Sequence, residues 1–216
     1  MRVLAIGAHP DDIEFGCAGT LVNLARNGHE TFMLVMTKGG SGGDREGRGQ
    51  EQLASQQILQ VSKLFLGDYE DTRVPNSKEV IDSIEAVINE VAPSMIFVNY
   101  TEDTHQDHRN LALSTLSAAR HIRTVLFYEV PSTLGFTPQV FSDISNVYAI
   151  KEAALKAHAS QLSKTNVEGL TILDTARGAA HFRGIQGRAL LAEAFHVMRA
   201  WLAIDRHDSR GGVRLA

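Results

Sequence analysis

The chain has 216 residues, 44% hydrophobic and 21% charged, enough for one domain with a substantial core and too few for two ordinary ones. A formal net charge of −4 and a pI near 6.1 exclude the basic footprint of a nucleic-acid or anionic-membrane binder. The single cysteine, Cys17, excludes an intrachain disulfide and fits a reducing compartment, so a cytoplasmic location is expected.

Residues 3–8 form a short apolar run ended by His9, Pro10, Asp11 and Asp12. The run is too short for a secretory signal and suits a strand buried on both faces. A helix is expected over 19–27 and a second buried strand over 31–36. Residues 37–49 hold six of the eighteen glycines, with Asp44, Arg45 and Arg48, and read as a mobile active-site loop in which a helix has little chance. Helical spacing returns over 50–61, and 63–66 is a third strand. The clearest helix covers 78–91, where Ile81, Ile84, Val87, Ile88 and Val91 share one face. Pro93 stops it before a fourth strand at 95–98. A helix at 109–120 and a fifth strand at 124–128 follow, with late helices expected at 150–161 and 187–202. No window of eighteen uncharged apolar residues occurs, so no membrane span is expected.

Strands alternating with helices imply βαβ units: a single α/β domain with a mostly parallel, Rossmann-like sheet flanked by helices, over 1–206. Residues 207–216 read as a polar tail. In such a sheet the active site lies at the carboxyl ends of the strands, and two polar clusters follow strands here.

The first cluster is Ala8-His9-Pro10-Asp11-Asp12-Ile13-Glu14. An imidazole and two adjacent carboxylates at a strand end are costly unless solvated, paired or bound to metal. Neighbouring residues point different ways, so one aspartate can ligate a cation while the other faces substrate. The plain alternative is helix capping. The second cluster, Thr104-His105-Gln106-Asp107-His108-Arg109, weighs against that alternative. A catalytic zinc takes three protein ligands and leaves one position open, and His9, Asp12 and one of His105 or His108 supply such a set. The other histidine is left for acid–base or electrostatic work, with Asp107 as the partner that orients it.

His9-Pro10-Asp11-Asp12-x-Glu14 with Gly16, Gly19 and Thr20, together with His105-x-Asp107-His108, resembles the two signatures of the PIG-L/LmbE-like family of metal-dependent N-acetylglucosaminyl deacetylases. Weaker similarities run to about Leu202: Thr37-x-Gly39, Arg48-x-x-Glu51, Leu66-Gly67 with Asp71, Lys151, Ser160-Gln161 and Ala192-Glu193-Ala194-Phe195. The resemblance implies that His9, Asp12 and His108 hold a divalent metal, Zn²⁺ first and Fe²⁺ as the alternative. It implies that Asp11 is the general base, and that protonated His105 stabilises the oxyanion with Asp107 behind it. Gln106 stands where proline is common in the family. Arg48, Glu51 and Asp71 are expected to touch substrate, against a solvated arginine, a first-turn acid and a turn aspartate. Glu14 caps or braces the metal loop, and Cys17 is a small buried residue.

The implied reaction removes an N-acetyl group from an N-acetylglucosamine-containing small molecule by attack of a metal-activated water. A homo-oligomer, trimer or hexamer, is also implied, with Phe127, Phe136 and Phe141 in a stretch that could form a contact. The glycine-rich loop and residues 128–138 are expected to wall the substrate. Two competing readings are a metal-dependent amidase or esterase for another acyl substrate and a non-catalytic sugar-binding protein. Asp11 argues against the latter, since a binder has no use for a base beside its ligands. A dinucleotide-binding protein is excluded, because no Gly-x-Gly-x-x-Gly follows the first strand.

Overall fold

The computed structural model describes residues 1–203 together with Arg214 and Leu215. Five strands, β1 (Arg2–Gly7), β2 (Glu30–Thr37), β3 (Lys63–Tyr69), β4 (Met95–Asn99) and β5 (Thr124–Tyr128), are joined by helices into a parallel sheet. Two more, β6 (Val140–Asp143) and β7 (Ala192–Arg199), extend it antiparallel, giving the order β3-β2-β1-β4-β5-β7-β6. The helices are α1 (Asp12–Gly16), α2 (Ala18–Arg26), α3 (Arg45–Leu59), α4 (Lys78–Val91), α5 (Gln106–Ala118), α6 (Tyr148–Ala157) and α7 (Ile172–Gly187).

The continuous apolar strands are explained by the two cores they separate. Alternate residues of β1 and β4, Leu4, Ile6, Ile96 and Val98, face Val80, Ile84 and Ile88 of α4 and Leu111 of α5. The intervening residues, Val3, Ala5 and Phe97, face Ile13 of α1, Leu21 of α2, Leu59 of α3, Leu155 of α6 and Ala176 of α7. Both faces of β1 and β4 are covered, so their central positions favour apolar side chains. Among the described residues no helix is long and apolar enough to cross a membrane.

Three expectations of secondary structure are corrected. Residues 45–49 are helical, because α3 starts early: Asp44 caps it by accepting the Gly47 N–H at 2.7 Å. Helix α5 also starts early, at Gln106, which puts Asp107 and His108 in its first turn. The helix expected over 187–202 is β7. The run Ala192-Glu193-Ala194-Phe195 has helical propensity, but it pairs with β5 on one side and β6 on the other, and Phe195 packs on Phe97 with ring centroids 4.8 Å apart. Tertiary pairing overrides propensity here. The helix in this part of the chain is instead α7, entered through a capping box between Thr171 and Asp174.

Phe127 is a core residue, 4% exposed, so it is not available for a subunit contact. The tail expected from residue 207 lies mostly outside the described residues; Arg214–Leu215 (β9) pairs antiparallel with Leu202–Ala203 (β8).

Candidate metal centre

Strand β1 is flanked by β2 on one side and β4 on the other, so successive connections leave it in opposite directions. This is the topological switch point, where the carboxyl ends of neighbouring strands open a crevice. The His9-to-Asp12 segment leaves β1 there, and the loop from β4 leads through Asp103 into His105 and α5. Asn99, the last residue of β4, ties the two together by accepting the Ala8 N–H at 3.2 Å.

Three ligand-type atoms converge in the crevice. His9 Nδ1 lies 3.1 Å from His108 Nε2, and Asp12 Oδ2 lies 3.7 Å from the first and 3.4 Å from the second. Bonds of roughly 2.0–2.2 Å to a tetrahedral ion separate its ligand atoms by about 3.3–3.6 Å, so the spacing suits three corners of such an ion. The other nitrogen of each ring is committed. His9 Nε2 faces Asp71 Oδ1 at 3.0 Å and Asp107 Oδ2 at 3.1 Å, and His108 Nδ1 faces Asp103 Oδ2 at 3.2 Å. With N–H bonds donated to those carboxylates, the facing nitrogens present lone pairs to each other. Two lone pairs at that distance repel unless a proton or a cation lies between them, which is the arrangement of carboxylate–histidine–metal sites.

The electrostatics agree. Burial opposes a charge on His9, yet hydrogen bonds to Asp107, Asp12 and Asp71 outweigh it and hold the pKa well above the usual value. Burial opposes it on His108 too, and Asp12 and Asp103 raise that ring to about 9. Asp12, against its burial, is held well below the usual carboxylate range by the two imidazoles. The centre is built to accept positive charge. The donor atoms of His9, His105 and His108 lie within 4.8 Å of one another, as do those of a further set, His9, Asp71, His105 and Asp107. The latter would need the His9 nitrogen already facing two carboxylates, and Asp107 already accepts the Thr72 N–H at 2.8 Å and the Val74 N–H at 3.1 Å. Asp12 Oδ2 likewise accepts the Ala8 and His9 N–H groups at 3.0 and 2.9 Å; the set of His9, Asp12 and His108 differs in using the ring nitrogens turned away from Asp71, Asp107 and Asp103.

Asp11 stands beside this set with φ 92° and ψ −21°, a left-handed backbone rare for a residue other than glycine. It is partly exposed to the cleft, and desolvation followed by the charge of Asp12 raises its carboxyl to about 6. His105 lies at the N-terminus of α5, where its Nδ1 accepts the Asp107 N–H at 3.2 Å. A neutral ring then carries its proton on Nε2. Two expectations fail here. The Asp107 carboxylate orients His9 rather than His105. And burial, then the neighbouring His9 and His108, lowers the pKa of His105, the direction opposite to that expected for a cation.

The crevice widens into a cleft of about 730 Å³. Ser41 and Gly42 form one wall and Val130, Pro131 and Ser132 another, the two segments expected from sequence. A third wall, residues 161–175, was not anticipated; Gln161, Lys164 and Leu170 stand on it. Of the expected substrate contacts, Asp71 reaches the cleft but is bound to His9 and to the Ser41 N–H at 2.9 Å. Arg48 reaches the cleft yet is only 5% exposed, so it is not a solvated arginine. Glu51 does not line the cleft: its carboxylate accepts the N–H and hydroxyl of Ser160 at 2.8 and 2.7 Å.

Glu14 is fully buried and braces the metal loop from behind, accepting bonds from Gln52 at 2.7 Å and Ser55 at 2.6 Å, with buried His158 at 3.5 Å. Cys17 is buried and its thiol is pushed well up by desolvation. Sequence reasoning missed Asp103, which holds His108 and also accepts the His105 N–H at 2.8 Å. Its signal was the second of two adjacent acids after β4, Glu102 and Asp103, two residues before His105.

Comparison with known proteins places this site in context. The family described as PIG-L, GlcNAc-PI de-N-acetylase, matches residues 4–119. The uncharacterized deacetylase YaiS of Escherichia coli K12 is 38% identical over 73% of this chain and 90% of its own. Diacetylchitobiose deacetylase of Thermococcus kodakarensis is 30% identical over 74% of this chain and 70% of its own. The structure of N,N′-diacetylchitobiose deacetylase from Pyrococcus horikoshii superposes with a TM-score of 0.81 at 23% identity, covering 91% of this chain and 83% of that one.

Proposed function

The chain belongs to the PIG-L family of de-N-acetylases, and on that premise we propose that it is a metal-dependent hydrolase that removes the acetyl group from an N-acetylglucosamine-containing small molecule. The observation that carries the proposal is the pair of facing imidazole nitrogens, 3.1 Å apart, with Asp12 beside them and carboxylates behind both rings. His9, Asp12 and His108 would hold a divalent cation, Zn²⁺ first and Fe²⁺ as the alternative. When bound, that cation supplies Lewis acidity, making water a stronger acid and an amide carbonyl a better electrophile.

The chain's own groups supply the rest. Asp11 takes the proton of the attacking water, a role its raised pKa and cleft exposure suit. His105, neutral with its proton on Nε2, donates to the oxygen on which negative charge develops. A neutral imidazole donor needs no carboxylate to keep it charged, which fits the turning of Asp107 toward His9. The proton held by Asp11 is then available to the departing amine. Asp107, Asp71 and Asp103 keep the tautomers of His9 and His108 that leave lone pairs for the cation.

The Thermococcus relative, a diacetylchitobiose deacetylase, supports an N-acetylated sugar as substrate. A panel of N-acetylated sugars, from the free monosaccharide to conjugates, assayed for released amine with metal-replete protein tests the proposal. Turnover of N-acetyl sugars is expected; release of acyl groups from other amides or esters alone would favour the amidase or esterase reading. A homo-oligomer, trimer or hexamer, belongs to the same proposal. Light scattering that finds only a 23.6 kDa species at micromolar concentration removes it.

A further inference from the structure

The third wall of the cleft is fastened in place by polar contacts at its start. Glu51 of α3 holds the N–H and hydroxyl of Ser160 at 2.8 and 2.7 Å. The next residues reach across to the glycine-rich loop: Gln161 Nε2 donates to the Gly42 carbonyl at 3.4 Å, and Lys164 Nζ donates to the same carbonyl. The Lys164 N–H closes a turn on the Gln161 carbonyl at 3.0 Å. Both the backbone and the tip of Lys164 are therefore held, which is unusual for an exposed lysine. An ammonium has three donors. The Gly42 carbonyl takes one, and the others can act in the cleft that Lys164 lines.

Charge is divided around this cleft. Asp11, Asp12 and Asp71 line it at the metal centre, whereas among the described lining residues of the third wall Lys164 alone is charged. Glu168 belongs to the same stretch of chain but does not line the cleft. Val167 and Leu170 share the wall with Lys164, and Val130 and Pro131 stand on another. A volume of about 730 Å³ lies in the range that buries a drug-sized molecule, more than an acetamido sugar fills. With the acetamide at the metal centre, the group joined to the sugar is left to these walls. They offer it short apolar side chains, one fixed cation and no carboxylate.

We infer that the aglycone of the substrate is anionic, with a carboxylate or phosphate bound by Lys164, and that Lys164 sets the preference for such conjugates over neutral ones. The inference rests on the deacetylase reading and names the substrate class of that same site. An anion held by a positioned ammonium at a cleft rim gains about five- to tenfold in binding, between an exposed ion pair and a buried charged hydrogen bond. The aglycone keeps its charge throughout the reaction, so the gain is the same in ground and transition states and falls on KM.

The test uses matched pairs. Carboxyalkyl glycosides of N-acetylglucosamine with increasing tether length are each compared with the primary amide, and N-acetylglucosamine 1-phosphate with the methyl glycoside. Amine release by metal-loaded protein should favour the acid of at least one pair by about five- to tenfold in kcat/KM. The favoured pair distinguishes carboxylate from phosphate. Added salt should weaken the preference. Lys164→Gln should abolish it, and Lys164→Arg should keep it. Lys164 is exposed, so neither substitution disturbs the core. A general loosening of the wall would scale both members of a pair alike and cancel in their ratio. The inference is overturned if no pair favours the acid, or if the preference survives Lys164→Gln. Should the wild type release no amine from any N-acetyl sugar, the deacetylase reading falls. Titration calorimetry of the same pairs on wild type and Lys164→Gln then decides separately whether Lys164 binds the anion; equal binding of acid and amide by the wild type overturns it.

Discussion

Asp11 combines three features that a purely structural aspartate has no reason to collect. Its backbone is left-handed, at a cost on the order of 1–3 kcal/mol; its carboxyl sits partly open to the cleft; and burial with the adjacent Asp12 raises its pKa to about 6. A base must be ionised, so activity should fall as the pH drops through the region at and below 6, where Asp11 takes up a proton. Asp11→Asn should keep the metal and the fold while losing roughly a hundred- to ten-thousand-fold in kcat; turnover near the wild-type rate would move the base elsewhere. Asp103 makes a different prediction. It touches no open position of the centre but receives His108 Nδ1 at 3.2 Å, so Asp103→Asn should weaken metal binding by about 10–100-fold, read by competition with a chromogenic chelator. Unchanged affinity would show that His108 keeps its tautomer without help. At this scale the convergence of His9, Asp12 and His108, the proposed ligands, could be expected from sequence, because the two signatures follow neighbouring parallel strands. The orienting carboxylates were not. Asp71 and Asp103 reach the rings from loops after β3 and β4, and only the folded chain shows which ring each one faces.

Among the elements, the parallel half of the sheet was readable because each strand is an apolar run closed by polar residues. The antiparallel extension was not. Strand β6 is short and only partly buried, and β7 carries a local sequence that favours helix until its neighbours claim it. Helix α7 had a signal, Thr171 followed three residues later by Asp174, but its weak apolar stripe hid it. Strand β7 nevertheless carries a residue that reaches toward the metal loop. Glu193 accepts the N–H groups of Gly19 and Thr20 at 2.9 and 2.7 Å, closing the start of α2, and pairs with Lys151 of α6 at 2.6 Å. Lys151 also donates to the carbonyl of Phe15 in α1. The pair thus joins α1, α2, α6 and β7 behind the site. Both side chains are 3% exposed, so removing one partner leaves a buried charge. Lys151→Met should destabilise the protein by about 3–5 kcal/mol, measured by urea unfolding. A change within roughly 0.5 kcal/mol, the range of a neutral surface substitution, would mean the pair is dispensable.

For the whole molecule, the proposed centre would act as a cross-link between two βαβ units already joined by the pairing of β1 with β4. His9 and Asp12 belong to the unit begun by β1, and His108 to the unit begun by β4, so a cation shared by them would tie the 98 residues between His9 and His108 into one closed loop. The fold class could be read from sequence because it depends on the repeated strand–helix alternation; the distance at which the two loops meet, 3.1 Å between the His9 and His108 rings, is seen only in the folded chain. Without a cation, the buried Asp12, Asp71, Asp103 and Asp107 surround the two rings, and protons on the rings are the nearest positive charge. A cation that binds only the folded chain, present at about a thousand times its Kd, stabilises it by roughly 4 kcal/mol. For a domain of this size each kcal/mol moves Tm by about 2–4 °C, so a strong chelator should lower Tm by roughly 8–16 °C in scanning calorimetry. The shift should reverse on adding back Zn²⁺ or Fe²⁺, and the cation that restores both Tm and amine release is the working metal. His108→Ala protein should melt low from the start and ignore the chelator. If the wild type melts at the same temperature with and without chelator, although metal analysis shows the ion removed, the cation is not held by both loops. His108 would then leave the ligand set, while His9 and Asp12, which lie on a single turn, could still bind the ion without joining the two units.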